Sequence, residues 1–198
     1  MSGRESDGGG RGRLGRDEVL VAAEELVDRA GWDGLTMSAL ASSLGVRAPS
    51  LYHHVDGLDA LRGELQVRSM AALSDVLLRA SVGQSGTAGV RVQAQAQREF
   101  ARTWPHRYDG MTRAAIDPEG VGRGGALANE VSVKMLLSAG VPDDAAQDLV
   151  RALFAAHHGV IQLELSGFFT VAVDHDGLFD LVLDNTVRAI DHAAGDPA

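Results

Sequence analysis

Apolar residues recur with the 3.6-residue spacing of amphipathic helices along most of the chain. The first such segment runs from Arg16 to a stop at Gly31, and a long one runs from an N-cap at Asp56 to about Ala80. Further helices are expected at 88–104, 119–139, 142–168 and 176–193, with a break at 81–89 and a turn at 104–111. Strand-like alternation is confined to GFFTVAV, which we expect to end a helix. The pattern predicts an all-α fold.

Two short helices are predicted between residues 36 and 55. Thr36 is of a type that caps helix N-termini, and Gly45 supplies the left-handed turn that ends the first short helix. The second begins near Arg47, and Leu51 and Val55, four residues apart, share its inward face. Together with the preceding helix, this arrangement predicts an N-terminal three-helix helix-turn-helix domain.

The chain has 198 residues, no cysteine and a net charge of −9. Its length allows one medium domain or two small ones, and the lack of cysteine excludes disulfides and thiolate chemistry. No apolar run is long enough to cross a bilayer, so we expect a cytoplasmic protein with no membrane partner. Residues 1–13, rich in Gly, Arg and Ser, are expected to form a flexible arm.

The acidic charge is unevenly distributed. Residues 34–55 contain no Asp or Glu, although they include Arg47 and two histidines. Such a window in an acidic protein indicates a small surface that approaches negative charge, such as DNA phosphates. In a helix-turn-helix the second helix lies in the major groove, where Arg47 can pair with guanine and Tyr52 can reach a phosphate. The alternative is a core trihelix with a solvated face.

The stretch LTMSALASSLGVRAPSLYHHVDGLDAL (35–61) resembles the DNA-binding domain of TetR-family repressors. The matching features are the Leu-Thr entry, the Ala-x-x-Leu-Gly-Val turn, the Ser-Leu-Tyr-x-His-Val recognition helix and the Leu61 anchor. Leu58 is a departure, since members usually have a lysine there that holds a phosphate. The partner implied is double-stranded operator DNA. The candidate DNA-binding residues are Thr36, Ser38, Arg47, Ala48, Pro49, Ser50, Tyr52, His53 and His54.

The segments FARTWPHRYDGMTRA and RALFAAHHGVIQLELSGFF resemble the C-terminal domain of a TetR subgroup named for a Trp-His-Gly motif. Phe154 replaces the tryptophan, whereas His158 and Gly159 match. The resemblance implies a small-molecule effector pocket and a dimer interface. Aromatic residues near a helix end also suit an apolar pocket, although core packing explains them equally well. The candidate ligand-binding residues are Phe100, Trp104, Tyr108, Met111, Phe154, His157, His158, Leu163 and Phe168.

A metal site at His157, His158 and Glu164 is disfavoured. Adjacent histidines on a helix point about 100° apart and chelate one ion poorly, so we expect no metal and no cofactor. The sequence contains no nucleophile elbow, phosphate-binding glycine loop or paired carboxylates. We therefore predict no catalytic residue and no enzymatic activity. GVGRGG (120–125) follows no predicted strand and lacks the context of a dinucleotide site.

Three segments are expected: a flexible arm at 1–13, a helix-turn-helix DNA-binding domain at 14–60, and a helical ligand-binding and dimerisation domain at 61–198. The interpretation is a homodimeric TetR-like repressor that a small, largely apolar effector releases from its operator. One trihelix contacts too few bases to select a site, which favours a dimer. The alternative is a helical small-molecule-binding protein that has lost specific DNA binding. Predicted dimer contacts are Ala152, Ala156, Gly159, Leu163, Leu181, Leu183, Val187 and Ile190.

Overall fold

The computed structural model describes residues 14–169 and 172–195, and the regular secondary structure of this part is entirely helical. The predicted all-α fold is confirmed, and the arm predicted at 1–13 lies outside the described residues. The helices are α1 (Arg16–Ala30), α2 (Met37–Leu44), α3 (Ala48–Leu51), α4 (Leu58–Ala80), α5 (Gly86–Thr103), α6 (Pro105–Thr112), α7 (Pro118–Ser138), α8 (Asp143–Leu165) and α9 (His175–Ala193). The chain divides into two compact units between Leu61 and Arg62.

The N-terminal unit contains α1, α2, α3 and the first turn of α4. The predicted N-cap at Thr36 is confirmed, because its Oγ1 accepts a hydrogen bond from the Ala39 backbone N–H at 3.1 Å. α2 ends at Gly45 with φ 67° and ψ 30°, a left-handed conformation that glycine adopts without a Cβ clash. Leu40 and Leu51 are fully buried and form part of the core of this unit.

The third helix is shorter than the sequence predicts. α3 has only four residues, and residues 52–54 form a turn in which the His54 N–H donates to the Leu51 carbonyl at 2.9 Å. The Val55 N–H donates to the same carbonyl at 3.1 Å. Val55 is buried, so the inward direction predicted for this side chain is confirmed.

α4 begins one residue later than a cap at Asp56 would give. The carbonyl of Gly57 accepts the first helical hydrogen bond, from the Leu61 N–H at 3.1 Å, so the prediction of Asp56 as the cap is wrong. The end of the helix at Ala80 is as predicted. Its buried positions are Leu61, Gly63, Leu65, Gln66, Ser69, Leu73 and Ser74.

The C-terminal unit contains the rest of α4 and the helices α5 to α9. The predicted turn at 104–111 is wrong, because most of this stretch forms α6. Pro105 occupies the first helical position, where no backbone N–H is required, and Tyr108 and Met111 are buried on one face three residues apart. Because aromatic and polar residues alternate at 104–109, the sequence does not show the helical spacing of this short segment.

Two apolar clusters form the core of the C-terminal unit. The first joins α4, α5, α6, α8 and α9 and includes Leu73, Phe100, Tyr108, Ile161, Phe179 and Leu183. The second joins α5, α7, α8 and α9 and includes Val90, Leu136, Leu153 and Ile190. Because α5, α8 and α9 contribute to both clusters, they connect the two halves of the core.

The substitution of glycine by alanine is expected to have opposite effects at Gly45 and Gly122. A Cβ at Gly45 is strained by the left-handed backbone, so Gly45→Ala should lower the free energy of unfolding of the N-terminal unit by about 1 kcal/mol. A Cβ at Gly122, inside α7, meets no atom within 4 Å. Gly122→Ala should therefore raise the free energy of unfolding of the C-terminal unit by up to about 1 kcal/mol.

Urea unfolding followed by tryptophan fluorescence measures both effects. Trp32 lies in the N-terminal unit and Trp104 in the C-terminal unit, so Trp104→Phe and Trp32→Phe backgrounds each leave one reporter. A Gly45→Ala protein whose Trp32 transition matches that of the parent would contradict the argument from backbone strain.

Candidate DNA-binding surface and ligand cavity

The N-terminal unit exposes most of the side chains predicted to contact DNA, around the turn between α2 and α3. Thr36, Ser38, Arg47, Pro49, Tyr52 and His53 are exposed, and Ala48, Ser50 and His54 are half-buried. Tyr52 retains 57% of its surface, an unusual exposure for an aromatic side chain. None of the nine is fully buried, so the set forms an accessible surface, which we call the α2–α3 surface.

The backbone at the start of α3 accounts for this exposure. Arg47 precedes the helix in an extended conformation, with φ −86° and ψ 142°, and its carbonyl accepts a hydrogen bond from the Ser50 N–H at 2.9 Å. Pro49 lies in the first turn, where its missing N–H removes no helical bond. Leu51 and Val55 are buried and anchor the segment, so the side chains between and before them project outward.

Thr36 and Leu58 differ in whether their side chains can bind a phosphate. The oxygen of Thr36 already accepts the N–H of Ala39, which leaves its hydroxyl hydrogen for a further bond. Leu58 is half-buried in the first turn of α4 and carries no charge. Positive charge on the α2–α3 surface therefore comes from Arg47.

A cavity of about 660 Å³, here called the outer cavity, lies between α4, α7 and α8 in the C-terminal unit. Its lining consists of Met70, Leu73, Ser74 and Leu77 of α4, Val121, Gly122, Gly125, Ala126, Ala128, Asn129 and Ser132 of α7, and Gln147, Val150, Arg151 and Phe154 of α8. Small-molecule sites commonly have volumes of about 300–1,000 Å³ and mostly apolar walls. The outer cavity has both properties.

A smaller inner cavity of about 60 Å³ adjoins the outer one. Four residues line both: Leu77, Ser132, Val150 and Phe154. The inner cavity is further lined by Val90, Gln93, Ala94, Gln97, Leu136, Leu153 and His157. Because Gln93, Gln97 and His157 are buried, the inner cavity combines burial with hydrogen-bonding groups.

The two glutamines of the inner cavity are held by hydrogen bonds. Gln93 Nε2 donates to Ser81 Oγ at 2.8 Å, and Gln93 Oε1 accepts from Ser132 Oγ at 2.8 Å. Gln97 Nε2 donates to the Tyr108 hydroxyl at 2.9 Å. Buried polar side chains in folded proteins almost always have such partners, and here the partners determine how each amide is oriented.

The adjacent histidines of α8 have different partners. His157 Nε2 lies 2.9 Å from Thr186 Oγ1, and His158 Nδ1 lies 3.1 Å from the Tyr108 hydroxyl. Burial lowers the pKa of His157 to about 4 and also lowers the pKa of His158. Burial raises the pKa of Tyr108 to about 12, against the opposite effect of the hydrogen bond from Gln97. All three side chains are therefore uncharged at neutral pH.

Two of the nine predicted ligand-binding residues line these cavities: Phe154 lines both, and His157 lines the inner one. Phe100, Tyr108 and Met111 are buried in the first apolar cluster, and His158 is half-buried beside Tyr108. Trp104, Leu163 and Phe168 are exposed. Phe100 and Trp104 line a separate cavity of about 270 Å³, and the ligand-binding role of all seven residues stays a prediction.

The walls that α4 and α7 contribute are not among the ligand-binding residues predicted from the sequence. The predicted residues are mostly aromatic, whereas most of the outer cavity is lined by small and aliphatic side chains. The one available signal was GVGRGG (120–125), in which Gly122 and Gly125 face the outer cavity. Glycines inside a helix leave space that other residues would occupy.

Glu164 is engaged in ion pairs. Arg98 Nε donates to Glu164 Oε2 at 2.9 Å, and Arg102 Nε donates to Glu164 Oε1 at 2.8 Å. Burial opposes ionisation of Glu164, but the two arginines outweigh it and lower the pKa of this carboxyl.

In residues 14–169 and 172–195, no three His, Cys, Asp or Glu side chains are grouped to hold a metal ion. The same residues include no helix both long and apolar enough to span a bilayer.

Protonation of His157 should destabilise the folded protein in acid. Its pKa is about 4 in the folded state against 6.5 for an ordinary histidine, so the unfolded chain binds more protons between these values. The free energy of unfolding therefore falls as the pH decreases through this window, with a contribution on the order of 3 kcal/mol from this group. His157→Gln keeps a partner for Thr186 and should remove that contribution.

Urea unfolding of the two proteins, from neutral pH down to about pH 4, measures the difference. The variant should lose less free energy of unfolding than the wild type over this range. An equal loss in both proteins would show that His157 is not buried in its neutral form.

Two family profiles match the chain. The profile described as "Bacterial regulatory proteins, tetR family" matches residues 19–65, which include α2 and α3. The profile described as "Tetracyclin repressor-like, C-terminal domain" matches residues 90–186, between α5 and α9. The two profiles thus correspond to the two units that carry the α2–α3 surface and the cavities.

Known relatives agree with the profiles. The HTH-type transcriptional regulator Rv0681 of Mycobacterium tuberculosis, itself uncharacterized, is 36% identical over 176 residues, which cover 86% of this chain and 79% of the relative. The class D tetracycline repressor of Escherichia coli is 41% identical over 86 residues, 43% of this chain and 39% of that protein.

A solved structure shares the fold. It is a single-residue variant of TetR from Acinetobacter baumannii in complex with minocycline, with a TM-score of 0.70, 21% identity, and coverage of 91% of this chain and 98% of that one. Members of the family bind operator DNA, typically as homodimers, and ligand-responsive repression is typical of them. The chain belongs to the TetR family and is a DNA-binding transcriptional regulator.

Proposed function

We propose that this regulator is a homodimeric repressor that a small, largely apolar ligand releases from operator DNA. The observation that carries the proposal is the outer cavity, about 660 Å³ of mostly apolar space in the unit that matches the tetracycline-repressor C-terminal profile. The structural neighbour with minocycline bound supports a ligand role for this type of domain. A protein that only bound small molecules would not need an accessible α2–α3 surface, so that alternative is not favoured.

We assign DNA binding to residues 14–60 and effector binding and dimerisation to residues 61–198. The division between Leu61 and Arg62 lies close to this boundary and supports it. His158 and Gly159 support membership of the Trp-His-Gly subgroup. Because the matched profile describes bacterial regulatory proteins, and bacterial operator DNA lies in the cytoplasm, we propose a cytoplasmic location for the protein.

Sequence selection is assigned to the α2–α3 surface. Arg47 is exposed at the start of α3, where a guanidinium can make two hydrogen bonds to a guanine. Tyr52 is positioned for a phosphate, and Ser50, half-buried, for either a base or a phosphate. Leu58 removes one phosphate contact that a lysine would provide, which leaves Arg47 as the one Lys or Arg of the α2–α3 surface.

Arg47→Ala should weaken operator binding by about 1–3 kcal/mol, which is about 5- to 150-fold in Kd, and relax base preference at one position of each half-site. The operator is first selected from random duplexes with the wild-type protein, and binding is then measured by fluorescence anisotropy over a range of salt concentrations. Arg29→Ala is the matched control, since Arg29 is exposed on α1 and paired with Glu25, outside the α2–α3 surface. Equal affinity of the Arg47→Ala and Arg29→Ala proteins would contradict the assignment.

The dimer interface is assigned to the accessible faces of α8 and α9. Ala152, Ala156, Leu163 and Leu181 are exposed, and Gly159 and Val187 are half-buried. Leu183 and Ile190, also predicted as dimer contacts, are fully buried in the apolar clusters of this unit. The prediction was wrong for these two because apolar spacing on α9 does not distinguish the face that meets its own core from the face that meets a second copy.

Leu181→Glu should dissociate the dimer, because a carboxylate in an apolar contact must be dehydrated without a partner. Sedimentation velocity of the full-length protein over a concentration series measures the change. Leu127→Glu is the control, since Leu127 on α7 is as exposed (56%) as Leu181 (53%) but lies outside the assigned interface. The assignment fails if both variants sediment like the wild type, or if both dissociate.

A ligand can release the operator only if it binds the non-binding conformer more tightly. Coupling free energies between such sites are typically about 1–3 kcal/mol, so a saturating ligand should weaken operator binding by about 5- to 150-fold. The reverse also holds, because operator DNA must weaken ligand binding by the same factor. A cavity ligand that leaves the operator affinity unchanged would contradict release as the mechanism.

A further inference from the structure

Charge is nearly absent from the walls of the two cavities. Of the fifteen residues that line the outer cavity, only Arg151 is charged. Its side chain is exposed, and its Nη1 donates to Asp148 Oδ1 at 2.7 Å. The inner cavity is lined by no Asp, Glu, Lys or Arg, and His157 there is neutral. A charged group that entered the cavities would lose its water without meeting an opposite charge at depth.

The inner cavity nevertheless offers hydrogen bonds. Gln93 uses both ends of its amide, with Ser81 and Ser132, so it contributes a fixed polar wall. The bond that the structure gives Gln97 uses Nε2, which orients its Oε1 as a further acceptor. His157 is oriented through Nε2 and Thr186, which leaves Nδ1 as its second hydrogen-bonding atom. These groups suit a small polar group that both donates and accepts.

The volumes of the two cavities indicate which part of such a ligand each of them can hold. The inner cavity has a volume of about 60 Å³, room for a group of two or three heavy atoms, since one water molecule occupies about 30 Å³. The outer cavity, about ten times larger, is walled mainly by small and aliphatic side chains and Phe154. An apolar body therefore fits the outer cavity, and a polar end fits the inner one.

The glycine segment GVGRGG of α7 gives the outer cavity its width. A Cβ at Gly122 meets no atom within 4 Å, and a Cβ at Gly125 reaches Met70 Sδ at 3.4 Å. Both residues line the outer cavity. A glycine in a helix interior lowers helix stability by about 1 kcal/mol relative to alanine. At Gly122 and Gly125 this lower stability coincides with space that a ligand can occupy.

From this geometry we infer that the cavities bind an uncharged, elongated molecule with an apolar body and a small hydroxyl or carboxamide end, and that they discriminate against carboxylates and ammonium ions. The inference rests on the proposed effector role of the cavities and specifies the chemistry of the ligand. Because the neutral end lies against Gln97 and His157, it replaces hydrogen bonds to water, whereas an ion cannot recover its hydration there.

The test uses three ligands that share a chain and differ in charge: decan-1-ol, decanoate and decylammonium. Each is titrated at neutral pH against the full-length protein carrying the neutral fluorophore N-phenyl-1-naphthylamine. Decan-1-ol should displace the fluorophore with a Kd at least about ten-fold lower than either ion. An ion that binds as tightly as decan-1-ol, or the failure of all three to displace the fluorophore, would overturn the inference.

Two leucine substitutions at neighbouring positions of α7 locate the binding. Gly122→Leu places a side chain into the outer cavity and should raise the Kd of decan-1-ol by about ten-fold or more. Arg123→Leu places the same leucine side chain, in exchange for an exposed arginine, at a position that does not line the cavity, and it should leave the Kd unchanged. Equal affinities of the two variants for decan-1-ol would overturn the assignment to this cavity.

Anisotropy of the selected operator, measured on the same preparations, separates this inference from the proposed function. If decan-1-ol binds selectively and does not weaken operator binding, the ligand chemistry stands and ligand-induced release is contradicted. If an ion competes equally while the operator is still released, release stands and the ligand chemistry is contradicted.

Discussion

The need to satisfy buried polar groups controls the shape of the C-terminal unit. Gln93, Gln97, His157 and Thr186 are all buried, and a buried polar group without a partner costs about 1–3 kcal/mol. Their partners lie on several elements: Ser81 after α4, Tyr108 on α6, Ser132 on α7, and Thr186 of α9 for His157. The helices must therefore keep a spacing that hydrogen bonds can bridge, and this spacing leaves the inner cavity open where apolar side chains alone would pack closer.

The N-terminal unit depends on a different constraint, the reversal of the chain at Gly45. The left-handed turn lets Leu40 and Leu51 be buried in one core although α3 has only four residues. Because α3 is so short, its last residue, Leu51, and Val55 in the following turn anchor the segment in the core. The remaining positions are then free for polar and aromatic side chains that face outward.

The two units also differ in how they treat charge. The chain has a net charge of −9, so it is repelled by DNA at long range, and affinity has to come from the acid-free window at 34–55 and from short-range contacts. In the C-terminal unit, Arg98 is paired with Glu164, the inner cavity is lined by no Asp, Glu, Lys or Arg, and the one charged residue that lines the outer cavity, Arg151, is exposed and paired with Asp148. The α2–α3 surface is thus suited to a polyanion, and the cavities are suited to an uncharged molecule.

Local signals in the sequence determined the α2–α3 surface, because its cap at Thr36, its turn at Gly45 and its inward anchors each depend on residues a few positions apart. The same reasoning placed the long helices to within a few residues and missed α6, whose helical period spans only two turns. The cavities could not be predicted in this way. Their walls combine residues from four helices far apart in sequence, and whether an apolar residue such as Leu183 fills the core, lines a space or meets a second copy is decided by the packing of those helices against one another.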